Sequence, residues 1–234
     1  MDLKLSGKKA LITGASKGIG LAIAKRFALE GCWVMLVSRS EDGLKKARRS
    51  ILAVDQSVRV DYRVADLSST NEITVLAQEQ EYVDILVNNA GAIPAGNINR
   101  IDEVTWREAW DLKLFGYISL CREIYARMSA RHSEPGQRVI LNIIGAGGER
   151  PSPGYIAGAG ANAGLMAITR AMGGVSRKHG IRVLGINPGQ IVTERLESMQ
   201  RVQAKEKFGD SERWREMWDP KSVSYTHLTL PTKA

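Results

Sequence analysis

Residues 13–20 read Thr13-Gly14-Ala15-Ser16-Lys17-Gly18-Ile19-Gly20 and set three glycines between an apolar run and an amphipathic one. Residues 9–12 (KALI) predict a short buried strand, and residues 21–30 (LAIAKRFALE) predict a helix that carries Ile19, Ile23 and Phe27 at helical spacing until Gly31 stops it. Glycine lets the chain turn tightly and lets backbone N–H groups approach an anion at a helix N-terminus, where the helix dipole favours negative charge. Strand, glycine turn and helix together read as a cradle for the phosphates of a dinucleotide. The spacing is Gly-x-x-x-Gly-x-Gly, which differs from the commoner G-x-G-x-x-G fingerprint.

Outward from this loop, apolar strand and helix patterns alternate from residue 9 to about 195, which predicts an α/β domain with one doubly wound parallel sheet. At 234 residues and 44% hydrophobic content the chain can bury one substantial core. Residues 1–8 lack the apolar run of a signal peptide, and no segment reaches the roughly 18 to 20 apolar residues of a membrane span, so a cytoplasmic protein with no membrane partner is expected. Cys32 and Cys121 are too few for a disulfide framework and read as reduced thiols in or near the core. His132, His179 and His227 show no metal-binding pattern, so no metal site is expected. The net charge of +8 comes from cations scattered over predicted helices without interleaved aromatics, which argues against nucleic acid and leaves a positive field suited to an anionic cofactor.

Further landmarks follow the glycine loop in register: Ser38-Arg39-Ser40 after a second strand (33–37), Asp66-Leu67 after a third, Asn88-Asn89-Ala90-Gly91 after a fourth (83–87), and Pro188-Gly189-Gln190-Ile191-Val192-Thr193 after a sixth (181–186). On these motifs, which span most of its length, the chain resembles the short-chain dehydrogenase/reductase family. That resemblance implies a Rossmann-type sheet in the order 3-2-1-4-5-6, a nicotinamide dinucleotide, a small alcohol or carbonyl substrate, and a homo-oligomer joined through the helix at 103–131 and the one that follows the fifth strand. It assigns the phosphates to Gly14, Ser16, Lys17, Gly18, Ile19 and Gly20. Asp66 and Leu67 would take the adenine, Asn89, Ala90 and Gly91 its ribose, and Pro188, Gly189, Ile191 and Thr193 the nicotinamide end. The turn at Asn88-Asn89 is equally consistent with a plain strand ending. An acid at the end of the second strand suits NAD and a base suits NADP. Here Arg39 stands between Ser38 and Ser40 with Lys17 as a second cation, so NADP(H) is expected over NAD(H).

Members of the family ordinarily reduce a carbonyl with a serine, a Tyr-x-x-x-Lys pair on one helix face and an asparagine from the preceding helix. Alignment on Asn162-Ala163-Gly164-Leu165-Met166 puts Asn162 at the lysine position and Gly158 at the tyrosine position, with Gly145 at the serine and Lys113 at the asparagine. No lysine lies between Lys113 and Lys178, so no local realignment restores the pair. Three readings stay open. In the first, Tyr155 supplies the proton by leaning into the space above Gly158, Lys113 is the nearby cation and Asn162 binds the nicotinamide ribose. In the second, water or substrate is the proton source. In the third, the chain is a catalytically inactive dinucleotide-binding sensor or partner subunit. Asn142, Glu149 and Arg150 are placed beside the same cleft, and Gly158, Gly160 and Gly164 predict close packing or a loosened turn on the helix that bears them.

Residues 1–222 are expected to form the nucleotide-binding domain, with 194–218 as a helical lid bearing Phe208, Trp214 and Trp218. Residues 219–223 resemble the start of a further helix. Residues 223–228 (VSYTHL) read as the translation of GTC-TCT-TAT-ACA-CAT-CT, which is similar to a transposon end used in sequencing libraries, so 223–234 is expected to be a non-native tail and a seventh strand to be missing.

Overall fold

The computed structural model describes residues 3–131 and 138–217. His132, Trp218, His227 and the suspected tail lie outside them. The chain divides into two compact units, Met1–Asn187 and Pro188–Ala234.

The first unit holds a six-stranded sheet in the order β3-β2-β1-β4-β5-β6, built from β1 (Lys9–Thr13), β2 (Trp33–Ser38), β3 (Val60–Val64), β4 (Ile85–Asn88), β5 (Arg138–Ile143) and β6 (Ile181–Ile186). Every neighbouring pair is parallel. Alternation on β1 sends Ala10 and Ile12 to one face and Leu11 to the other, and all three are fully buried because helices cover both faces. On one face α1 (Gly18–Leu29) and α2 (Glu41–Leu52) contribute Ala24, Ala28, Leu44, Ala47 and Ile51. On the other, α3 (Thr70–Glu79) and α5 (Gly116–Ala130) contribute Leu76, Leu120, Ile124 and Met128.

The helical spacing expected on α1 is present, with smaller residues nearest the sheet. Gly20, Ala24 and Ala28 form its buried line, while Ile19, Ile23 and Phe27 are only partly buried against the same cluster. Small side chains occupy the line of closest approach, and the large ones fill the flanks.

Helix α4 (Glu103–Trp110) runs into α5 through a π-helical turn, Asp111–Phe115. Helix α6 (Ile156–Ser176) packs against β6 and that turn, and a third cluster joins Ala109, Leu114 and Tyr117 to Ala157, Ala161 and Leu165. Both cysteines are free and buried. Among the described residues no group of His, Cys, Asp or Glu could hold a metal, and no helix is long and apolar enough to cross a membrane.

In the second unit α7 (Glu194–Phe208) is capped by Thr193 and ends at Gly209 in the left-handed region, followed by a 3-10 segment, Ser211–Met217, that buries Trp214. These elements cover most of the expected lid.

Candidate active site

The glycine loop joins β1 to α1 at the carboxyl edge of the sheet, where ligands of open α/β sheets bind. Thr13 fastens it. The Thr13 hydroxyl donates to the Val87 carbonyl (3.3 Å) and accepts from the Asn89 and Ala90 amides (2.9 and 3.0 Å), so the ends of β1 and β4 are tied together. Asn89 completes the tie by donating from Nδ2 to the carbonyls of Thr13 (3.0 Å) and Gly14 (3.2 Å). Its amide nitrogen therefore shapes the phosphate loop.

Gly14 (φ +62°) and Gly18 (φ +61°) occupy the left-handed region. Gly20 is required for a different reason: a Cβ there would lie 2.5 Å from Asn89 Nδ2 and still closer to the Gly14 carbonyl oxygen. The N-terminus of α1 has neither a side-chain cap nor an acidic residue in its first turn, whereas Ser40, Ser69 and Asp102 cap α2, α3 and α4. A close-approach glycine cradle that ends on uncapped helix amides fits a pyrophosphate.

Beyond the loop lie the ends of β2 and β3, expected to take the adenine. A Cβ on Gly43 would stand 3.0 Å from Ser16 Cβ and 3.1 Å from Ser40 Oγ, which puts the glycine loop beside the start of α2. Ser40 is occupied as a cap, accepting from Gly43 N at 3.1 Å, and Ser38 Oγ donates to the Ser40 carbonyl at 3.4 Å. The Arg39 side chain is 61% exposed, 3.9 Å from Asp66 Oδ2. Burial raises the Asp66 pKa, but hydrogen bonds from Ser68 N and Oγ together with the Arg39 charge outweigh it, and the carboxyl stays below its ordinary value. Leu67 contributes backbone shape, since a Cβ on Gly116 would come 2.5 Å from its carbonyl oxygen.

At the chemical end, the expected replacements converge where β5 finishes. Lys113, in the π turn, is buried, and its ammonium donates to the Ile143 carbonyl (2.8 Å) and to Tyr117 Oη (3.0 Å). Its stem passes Gly91, where a Cβ would meet Lys113 Cδ at 2.7 Å. Two residues beyond Ile143, Gly145 adopts φ +130°, and a Cβ there would sit 3.0 Å from Asn162 Nδ2. Asn162 is 3% exposed, and its carbonyl oxygen Oδ1 has no hydrogen-bond partner. A buried acceptor left unmatched costs about 1–3 kcal/mol, so a hydrogen-bond donor reaching Asn162 Oδ1 would be stabilised there.

The Tyr155 ring lies where a side chain on Gly158 would stand: a Cβ there would fall among Cζ, Cε1 and Cε2. The same ring faces Gly147, whose Cβ would be 3.4 Å from Tyr155 Cδ1. The backbone around Tyr155 is pinned from outside the helix. Gly96 N donates to the Gly154 carbonyl (2.8 Å), Ile156 N donates to the Gly96 carbonyl (3.3 Å), and the Trp110 indole donates to the Ala157 carbonyl (2.9 Å). Gly160 admits the Trp110 ring at 3.2 Å, while Gly164 meets only an ordinary contact with Leu114 at 3.7 Å, so two of the three helix glycines serve close packing.

Asn142 needs correction as a cleft residue. It is buried, accepts from Asn88 Nδ2 at 2.9 Å and donates to Thr169 Oγ1 at 2.9 Å, because an amide inside the sheet must satisfy its polar atoms internally. Asn88 is likewise an interior residue, a neighbour of Cys121 Sγ at 3.2 Å. Glu149 accepts from Asn187 Nδ2 at 2.9 Å. His179 lies edge-on to Tyr125, 5.9 Å between ring centroids. Pro188, Gly189, Ile191 and Thr193 belong to the second unit, where Thr193 caps α7. Tyr117, Trp110 and Gly96 escaped the sequence reading. Only Tyr117 carried a signal, its spacing of four from Lys113.

A sequence model described as short chain dehydrogenase matches residues 8–204. A 3-oxoacyl-[acyl-carrier-protein] reductase of Chlamydia muridarum is 31% identical over 198 residues, covering 83% of this chain and 78% of that protein. Galactitol 2-dehydrogenase of Agrobacterium fabrum is 31% identical over 198 residues, covering 83% and 75%. The crystal structure of L-sorbose reductase from Gluconobacter frateurii, complexed with NADPH and L-sorbose, superposes with a TM-score of 0.81 at 31% identity, covering 92% of this chain and 81% of that one. With the parallel sheet, the glycine loop and this match over most of its length, the chain belongs to the short-chain dehydrogenase family of oxidoreductases.

Proposed function

We propose that this chain is an NADP(H)-dependent oxidoreductase acting on an alcohol–carbonyl pair, with Tyr155 as its acid–base group. The observation that carries this reading is the Tyr155 ring standing in the volume that Gly158 leaves empty. The phenol thereby reaches one helical turn forward from its own backbone.

The roles divide by chemistry. The glycine loop and the α1 amides hold the pyrophosphate, and Arg39 with Lys17 supplies positive charge for a 2′-phosphate at the end of β2. Asn162 Oδ1 takes a ribose hydroxyl, which satisfies its unmatched acceptor. When bound, the nicotinamide supplies or accepts the hydride. Tyr155 Oη gives its proton to the carbonyl oxygen in reduction and recovers it in oxidation, while Lys113 provides the cation that stabilises phenolate character. A homo-oligomer through α4–α5 and α6 belongs to the same reading, with Val104 and Phe115 exposed on the first of these helices.

The test is titration of the full chain with NADPH and with NADH by fluorescence, followed by NADPH oxidation on a panel of ketones, aldehydes and quinones with wild type and Tyr155→Phe. NADPH is expected to bind about tenfold or more tighter than NADH, as one charge-assisted contact implies. Tyr155→Phe is expected to lower kcat about 100-fold with the cofactor affinity kept. Binding without turnover across the panel would favour the inactive sensor, and turnover indifferent to Tyr155→Phe would remove the phenol from the mechanism.

A further inference from the structure

Lys113 and Tyr117 stand four residues apart across the junction of the π turn and α5, and their polar ends meet. Lys113 Nζ donates to Tyr117 Oη at 3.0 Å and to the Ile143 carbonyl at 2.8 Å, and Tyr117 Oη donates to that same carbonyl at 2.9 Å. The triangle fixes the sense of each bond. The single phenol proton is spent on Ile143, so the phenol oxygen can only accept from the ammonium, and Ile143 uses both lone pairs of its carbonyl. Ile143 is the last residue of β5, the strand whose next turn carries Gly145 against Asn162.

The side-chain contacts repeat the pattern. The stem of Lys113 passes the bare backbone of Gly91 and its ammonium lies 4.6 Å from the Tyr117 ring centroid. Tyr117 is 2% exposed. A lysine with four rotatable carbons is a poor fixed charge unless something removes its rotamer freedom, and a buried two-torsion phenol does so at little entropic cost of its own. The chain thus lacks Tyr-x-x-x-Lys on α6 but holds a Lys-x-x-x-Tyr pair on the neighbouring helix, aimed at the same end of β5.

We infer that Tyr117 is a positioning residue, which with the Ile143 carbonyl holds the Lys113 ammonium at the reacting end of the site. The inference rests on the oxidoreductase reading for its purpose but not for its test. In ¹⁵N-lysine-labelled full chain, the wild type gives one slowly exchanging side-chain ammonium signal that Lys113→Gln removes. Tyr117→Phe shifts that signal and raises its proton exchange about tenfold, the worth of one hydrogen bond to a charged group, while the NADPH titration moves by no more than about twofold. On any substrate turned over, kcat per NADPH-binding site, counted by titration so that any unfolded fraction is left out, falls by a similar factor with KM kept. Tyr117→Leu is read in the same way if the phenylalanine variant does not fold. Absence of a protected Lys113 signal in the wild type, or an unchanged signal in the folded variant, overturns the inference. Turnover indifferent to Tyr155→Phe with the Lys113 signal responding as stated would overturn the acid–base assignment of Tyr155 and leave the Lys113–Tyr117 pair standing.

Discussion

The glycine loop after β1 and the cluster where Lys113 and α6 meet the end of β5 lie at the carboxyl edge of one sheet, yet the glycines of the two regions do opposite things. At Gly14, Gly18 and Gly20 the missing side chains admit a left-handed backbone or a close approach to other backbone. At Gly91, Gly158 and Gly160 they make room for other side chains of the same protein, those of Lys113, Tyr155 and Trp110. The first region is built around a backbone geometry that any phosphate-bearing cofactor needs. In the second, bulky groups from other positions fill the space that the glycines leave. On the proposed reading, cofactor binding and chemistry fall on different sides of this contrast, and substitutions on the two sides should fail differently.

The largest effect is expected at Gly20→Ala. The new methyl would press on the Gly14 carbonyl and stand 2.5 Å from Asn89 Nδ2, both parts of the phosphate loop. Backbone has to move to relieve it, so a destabilisation of about 1–3 kcal/mol is expected together with a loss of NADPH binding of about 100-fold or more. Chemical denaturation and the fluorescence titration read the two consequences. Retained affinity would show that this loop is not the phosphate site and would dissolve the contrast with the second region.

Gly158→Ala should separate activity from stability. Its methyl would fall inside the Tyr155 ring, which as a side chain can swing away without disturbing the helix. Alanine in place of an interior glycine favours the helix by about 0.5–1 kcal/mol, so the melting temperature should hold or rise. Turnover should fall about 100-fold, as for Tyr155→Phe, with NADPH affinity intact. A Gly158→Ala variant of full activity would show that the ring's position is packing alone.

The same contrast governs what could be read in the sequence. The glycine turn between β1 and α1 was legible because its demand falls on the backbone, and glycine at fixed offsets between a strand and a helix records that demand directly. The sheet followed from apolar alternation, with strand ends displaced by a residue or two: 83–87 became Ile85–Asn88, and 9–12 became Lys9–Thr13. The path of Tyr155 toward Gly158 was also legible, since residues three apart share a helix face. The repacking beyond it was not. Nothing in Asp111-Leu112-Lys113-Leu114-Phe115 announces a π turn, because the widened backbone costs no special residue type. Lys113 read as a cation beside the site, and its burial against Tyr117 and Ile143 depends on that turn. Asn142 read as a cleft residue, whereas strand alternation turns it into the sheet's interior beside Thr169 and Cys121.

The smallest effect concerns that interior. Burial pushes the Cys121 thiol up to about 12, partly opposed by hydrogen bonds with Asn88 and Asn142, and burial likewise pushes Cys32 up to about 11. Each native thiol keeps its proton above the ordinary value of 9.0, at a pH where the same thiol in the unfolded chain has released it. The native state then binds more protons than the unfolded one, so stability falls as pH rises from about 9 toward the native values, and is untouched near neutrality. Cys121→Ser removes one of the two thiols and leaves every other titrating group in place. Its urea-unfolding free energy should therefore decline less steeply between about pH 9 and pH 10.5, by at most about 1.4 kcal/mol per pH unit, the value of one proton. Equal slopes in variant and wild type would mean that Cys121 ionises in the folded protein. The polar pocket of Asn88, Asn142 and Thr169 would then be open to solvent from the chemical end of the sheet, and the boundary between the repacked site and the core would lie one layer deeper.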